Sequence, residues 1–249
     1  MSVAGMLERI HSRLPPGWQF EQSLMVERLY SFFIGASESR PGVRHLYLLY
    51  GDLQNLARTG SEDELLEAFE SDVNVYIAQA TRRWFFVHAG LVAWKGRAIV
   101  IPGRSFSGKT VLVKEFLQAG ATYYSDEFAV FDKCGQVHPF PRSLAIRQGE
   151  PPTRTRVLAE DLGSQAGVQP LPVGTLLLTR YRARARWRPR TLSWGKGTLG
   201  LLANSLSARN RPELTMATLG KAVCRARILS GARGDARETV ESVLRQLES

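Results

Sequence analysis

The sequence predicts a mixed α/β chain of the α+β kind, on three observations. First, IPGRSFSGKT (101–110) contains the pattern G-x-x-x-x-G-K-[ST], from Gly103 to Thr110, between an apolar run and an amphipathic one. Second, two β-rich runs precede it, WFFVHAGLVAW (84–94) and RAIVIPG (97–103). Third, residues 195–249 read as mostly helical, so a β-rich core is followed by a helical C-terminus.

In chain order, HLYLLYGD (45–52) alternates as a strand. Ser61 followed by Glu64 is a helix-start signature, in which the serine caps a backbone N–H and the glutamate reaches back. Leu65, Phe69, Val73, Tyr76 and Ala80 continue it at helical spacing, predicting an amphipathic helix over 62–80. Lys95-Gly96 splits the two β-rich runs as a hairpin turn does. TVLVKEFLQAG (110–120) predicts a helix closed by Gly120. ATYYSDEFAVFD (121–132) predicts a strand running parallel back toward the loop and ending at Lys133-Cys134-Gly135, and 136–147 returns as a further extended segment. From Gly149 to Gly167 the composition shifts to Pro, Thr, Gly and charge and predicts a mobile loop, after which 171–190 is extended. Helices are expected around 199–208, 213–229 and 235–247, the last opened by Asp235 with Glu238 three residues on. The expected organisation is a mixed flank over 1–60, packed on the core, and a nucleotide-binding domain over 61–249.

Composition narrows the class. Hydrophobic residues are 44% of the 249, enough for a proper core, and no apolar run approaches the roughly 18 residues of a membrane span. The first residues lack a basic start followed by an apolar stretch, so no signal peptide is expected. Cys134 and Cys224 fit no metal or redox spacing and read as free thiols in a reducing compartment, so a cytoplasmic, bacterial-type protein is the simplest expectation. The net charge of +10 permits an anionic partner but selects none.

The glycines of the 103–110 pattern let backbone N–H groups turn inward around phosphate oxygens, and the helix that follows points its positive dipole end at the anion. On that chemistry Gly103, Arg104, Ser105, Phe106, Ser107, Gly108, Lys109 and Thr110 form the candidate nucleotide site, with Lys109 reaching the terminal phosphates and Thr110 offering its hydroxyl to Mg²⁺. Asp126 and Glu127 fall where the next strand returns level with the phosphates. One carboxylate of such a pair can hold Mg²⁺, and the other can take a proton from an attacking hydroxyl. A solvated acidic pair at a strand end is the bland alternative. His88, between Val87 and Ala89, is by spacing alone a core or edge histidine.

VHAG (87–90), GRSFSGKT (103–110) and AGATYYSDE (119–127), in one register, resemble the catalytic half of bacterial HPr kinase/phosphorylase and the broader group of HPr-kinase-related proteins, over residues 84–147. The resemblance implies a fold shared with phosphoenolpyruvate carboxykinases, in which a β-rich core carries the loop. It implies an ATP- and Mg²⁺-dependent kinase acting on a serine of a small protein, and it is compatible with a homo-oligomer. By position, Lys109 and Thr110 would hold phosphates and Mg²⁺, Asp126 matches the family's first acid, and Glu127 stands where the family has the aspartate that acts as general base. His88 matches a histidine near the reacting phosphate. Three residues depart from the pattern. Phe106 stands where the family has glycine, Glu127 is one methylene longer than aspartate, and Ala145 replaces the glutamate of a Leu-Glu-Ile-Arg element whose Arg147 remains as a phosphate clamp. The family's signature beyond that element is not visible, so the reverse, phosphorylase reaction is not expected.

RYRARARWRPR (180–190) sets Arg180, Arg182, Arg184, Arg186, Arg188 and Arg190 at period two, which predicts one arginine face of a strand. That face reads as a solvated edge or as a docking surface for an acidic partner; nucleic acid is the weaker option, since no recognised binding motif accompanies it. Arg209, Arg211 and Arg233 are further cations that sequence does not place. Three functional readings follow: a kinase of the kind just described, a nucleotide-dependent binding module that transfers nothing, and a basic nucleic-acid-binding protein. The phosphoacceptor is unspecified, and the donor is ATP, GTP or pyrophosphate, because such a loop reads phosphates and not bases.

Overall fold

A computed structural model describes residues 3–34, 46–104, 107–148 and 153–248, which form two compact units, 1–80 and 81–249. The first unit contains α1 (Val3–His11), β1 (Tyr30–Ile34), β2 (Tyr47–Gly51), β3 (Gln54–Thr59) and α2 (Glu62–Ala80). Its strands make an antiparallel sheet in the order β1-β2-β3. Leu65, Phe69 and Val73 of α2 pack with Leu49, and Phe69 meets Tyr30 edge-on at 5.0 Å. The helix therefore belongs with the sheet beside it, and the division falls after Ala80, not after residue 60. The Ser61 hydroxyl accepts from Glu64 N–H at 3.4 Å, as the start signature requires, but the Glu64 carboxylate takes the Thr59 hydroxyl and does not reach back to Ser61.

The second unit contains β4 (Phe85–Trp94), β5 (Arg97–Pro102), α3 (Lys109–Gln118), β6 (Thr122–Ser125), β7 (Phe128–Phe131), β8 (Val137–His138), β9 (Leu144–Gln148), β10 (Thr153–Val157), β11 (Val173–Tyr181), β12 (Arg190–Thr191), α4 (Trp194–Leu202), α5 (Pro212–Val223), β13 (Arg227–Arg233) and α6 (Ala236–Glu248). Eight strands form the main sheet in the order β12-β13-β11-β5-β4-β7-β8, with β6 also on β4. The mixed α/β class expected from sequence is the class observed.

Alternation explains the sheet. Ala98 and Val100 of β5 turn to one face and Ile99 and Ile101 to the other, and all four are buried. A strand apolar on both faces must be covered on both. One cover is α3 and α6, through Leu112, Phe116, Val240 and Val243 against Val92, Ile99, Ile101, Leu177 and Leu229. The other is α4 and α5, through Leu201, Leu219 and Val223 against Leu91, Val100, Leu176 and Ile228. The chain passes from β5 through α3 to β6. Both strands are antiparallel to β4, so they run in the same direction with β4 between them and are not direct neighbours.

Four expectations change. The strand over 121–132 is two strands, β6 and β7, broken at Asp126-Glu127. Within the expected loop over 149–167, Thr153–Val157 pairs antiparallel with β9 and Glu160–Leu162 forms a 3₁₀ turn; residues 149–152 lie outside the described residues. The arginine stripe is not one strand face, because β11 ends at Tyr181 and Arg184 sits in a turn at φ 61°. The helix expected over 213–229 stops at Val223, and 227–233 enters the sheet parallel to β11. Ile228 and Leu229 explain the last change, since each goes to a different face of a sheet that needs both filled. Among the described residues, no helix is long and apolar enough to cross a membrane.

Candidate functional site

The 103–110 loop joins the end of β5 to α3. Gly103 N–H donates to the His88 carbonyl at 3.1 Å, tying the start of the loop to β4. Ser107 N–H donates to the Arg104 carbonyl at 3.2 Å, and the Lys109 ammonium donates to the same carbonyl at 2.9 Å. Gly108 precedes α3 in the left-handed conformation, φ 82°. Its carbonyl accepts from the Arg233 guanidinium at 2.9 Å. A Cβ at Gly108 would stand 2.1 Å from Arg233 Nη2, so glycine is required here by both backbone and space. The Ser107 hydroxyl is buried with no hydrogen-bond partner among the described residues. Ser105 and Phe106 lie outside the described residues.

The acidic pair reaches the loop because the strand breaks. The Ser125 hydroxyl accepts from Glu127 N–H at 3.3 Å and Phe128 N–H at 3.2 Å, which holds the kink, and Ala89 N–H donates to the Glu127 carbonyl at 3.1 Å. Both carboxylates lie within electrostatic reach of Lys109. Asp126 is half-buried and Glu127 is exposed. Gly90, on the strand beneath, permits the approach of α3: a Cβ there would stand 2.6 Å from Val113 Cγ2 and 3.8 Å from Lys109 Cβ.

His88 faces this cluster from β4. Its ring lies on Phe128 with centroids 4.8 Å apart. Burial, and then the Lys109 charge, push its pKa below the ordinary histidine value, with a hydrogen bond to the Glu127 backbone opposing them. Burial also lowers Lys109, and the Asp126 and Glu127 charges pull it back up. Burial therefore favours the neutral form of both groups, and the two carboxylates oppose it at Lys109.

The fold thus brings Gly103, Arg104, Ser107, Gly108, Lys109, Asp126, Glu127 and His88 together, with Thr110 in the first turn of α3. Arg147 lies on β9 in register with Arg154, and its side chain lies outside the described residues. Of the cations that sequence left unplaced, Arg233 reaches the loop. Arg211 turns away to the carbonyls of Arg82 and Trp84, at 2.9 and 3.1 Å, and Arg209 is exposed. Arg233 is only 3% exposed, and burial lowers its pKa against the opposing influence of Tyr181 and Asp235.

No three His, Cys, Asp or Glu side chains among the described residues cluster as a metal site. A hydroxyl and two carboxylates suit Mg²⁺ arriving with a nucleotide, since Mg²⁺ typically takes one or two protein carboxylates, with phosphate and water completing its shell. Against protein-family models and against curated proteins, the chain finds no match.

Proposed function

We propose that this chain is an HPr-kinase-like phosphotransferase that moves the γ-phosphoryl of ATP to a serine or threonine hydroxyl of a small protein or peptide. The observation that carries the reading is the convergence on Lys109. The loop, the paired acids and the histidine come from three separate segments, and all act on that one ammonium. A solvated acidic pair at a strand end has no reason to share a neighbourhood with a half-buried lysine and a half-buried histidine. The finer fold that goes with this reading is the β-rich core of the phosphoenolpyruvate carboxykinases, with the loop at the end of a central strand.

The roles follow from position. The N–H groups of the loop and the start of α3 bind phosphate, and the buried Ser107 hydroxyl is an unspent donor at the cradle. Lys109 neutralises charge on the transferring group. Glu127, exposed, takes the proton of the acceptor hydroxyl as that oxygen forms its bond to phosphorus and the bond to the β-phosphate oxygen breaks, releasing ADP. Asp126 and Thr110 are the residues that would hold Mg²⁺, which supplies charge neutralisation at the phosphates when bound. His88, neutral, donates or accepts a hydrogen bond without adding charge beside Lys109.

The test is Mg²⁺-dependent ATP binding by calorimetry, wild type against Lys109→Ala, then γ-phosphate transfer with Glu127→Gln as control. Binding lost in the lysine variant and transfer lost in the glutamate variant are expected. Wild-type protein that binds no ATP at millimolar concentration sinks the reading. Binding with no transfer to any acceptor leaves a nucleotide-dependent partner module. Affinity for nucleic acid that falls steeply with salt and is indifferent to ATP would instead favour the nucleic-acid reading.

A further inference from the structure

Beside Ser107-Gly108, and not lined by the acidic pair, lies an open cleft of about 780 Å³. Its lining includes Ser107, Gly108 and Val111, but none of His88, Lys109, Asp126 or Glu127. Its other walls are the turn after β11 and the start of α6. We propose that this cleft is the nucleoside subsite, in which Tyr181 stacks on the base and Arg184 and Arg186 contact the ribose. The assignment rests on the phosphotransferase reading, in which the loop itself reads only phosphates, and it places the base and ribose that distinguish ATP from bare pyrophosphate.

Position is the first argument. If the terminal phosphate lies by Lys109 and the acids, the rest of the donor must leave across the loop, because the acid side is where the acceptor hydroxyl enters. Among the described residues, the loop and the cleft share Ser107-Gly108 and the first turn of α3. The volume falls within the roughly 300–1,000 Å³ of small-molecule sites.

Chemistry is the second. Tyr181 is 62% exposed, unusual for a large ring at the end of a central strand, and the Arg233 guanidinium lies 5.4 Å from its centroid. An aromatic ring and exposed guanidinium planes are the surfaces on which bases stack. Neither Arg184 nor Arg186 makes an ion pair among the described residues, and both are exposed. The lining also carries Glu115, Asp235 and Glu238. An acidic peptide would meet those carboxylates, whereas ribose hydroxyls and base amines can donate to them. Mixed charge around an aromatic ring fits a hydrogen-bonding, flat ligand better than a polyanion.

Construction is the third. Arg233 links the two sites physically. It is buried, its Nη2 donates to the Gly108 carbonyl, its Nη1 donates to the Gly234 carbonyl at 3.3 Å, and its Nε has no partner among the described residues. In register with Tyr181 on the neighbouring strand, it fixes the floor of the cleft to the loop.

The experiment measures Mg²⁺-dependent binding of ATP and of inorganic tripolyphosphate, by calorimetry, to wild type, Tyr181→Ala and Arg184→Gly. Glycine is chosen at 184 because that residue sits at φ 61°. Each variant is expected to weaken ATP by about ten-fold and leave tripolyphosphate within about two-fold. ATP affinity unchanged in both variants, or both ligands weakened equally, overturns the assignment while leaving the phosphate site standing. A wild type that binds neither ligand overturns the phosphotransferase reading and the nucleoside subsite with it.

Discussion

Gly108→Ala tests the contact that ties the loop to β13. Alanine at φ 82° costs about 1–2 kcal/mol, because its Cβ crowds the following carbonyl. The same Cβ would stand 2.1 Å from Arg233 Nη2, so this guanidinium must shift and give up its bond to the Gly108 carbonyl. A hydrogen bond to a charged group contributes about 1.5–3 kcal/mol. The sum for the substitution is about 2.5–5 kcal/mol. In an Arg233→Met background the clash and the bond are both gone, so Gly108→Ala should cost only the backbone share, about 1–2 kcal/mol. Urea denaturation of the four proteins of this cycle, read by circular dichroism and by hydrogen exchange in α3, gives both figures. Equal costs in the two backgrounds would refute the coupling.

Other outcomes follow from the same geometry. Gly90→Ala should destabilise by about 1–3 kcal/mol through its collision with Val113, and Val113→Ala should restore part of the loss; urea midpoints check both. Stability should fall as pH drops below about 6.5, because the unfolded chain takes a proton on His88 that the folded protein resists, by at most about 1.4 kcal/mol per pH unit. His88→Gln should flatten that slope in thermal melts between pH 7.5 and 5.5. Asp235→Ala should cost about 1 kcal/mol by removing the cap that accepts Glu238 N–H at 3.0 Å, with exchange rising in the first turn of α6.

Some features were legible in the chain because they are local. The Lys95-Gly96 hairpin appears where a positive-φ dipeptide interrupts two β-rich runs, with φ 48° and 75°. The helix over 62–80 has the predicted bounds, since spacing and a serine cap are short-range signals. Gly103 to Thr110 is read from sequence because backbone turn and charge are needed at fixed intervals. The same holds for Asp235, whose side chain answers to an amide three residues on.

What sequence misjudged depends on partners far along the chain. Residues 227–229 read as the end of a helix, yet RILSGAR (227–233) becomes β13 because β11 offers an open edge and two apolar faces to complete. The period-two arginines read as a strand, but pairing with β13 ends near Tyr181, and without a partner the pattern has nothing to hold it extended. Asp126 and Glu127 read as the middle of one strand; the Ser125 hydroxyl and the pairing with β4 decide the break.

By itself, then, the sequence determined the α/β class, the hairpin before the loop, the loop itself and the candidate acids, all carried by neighbours within a few residues. Tertiary structure alone decided that Arg233, separated from Gly108 by 125 positions, grips the loop, and that the strand breaks at the acidic pair. The physical reason is that a buried charge or a strand edge is satisfied by whatever the fold brings alongside it, and sequence separation does not enter that energy.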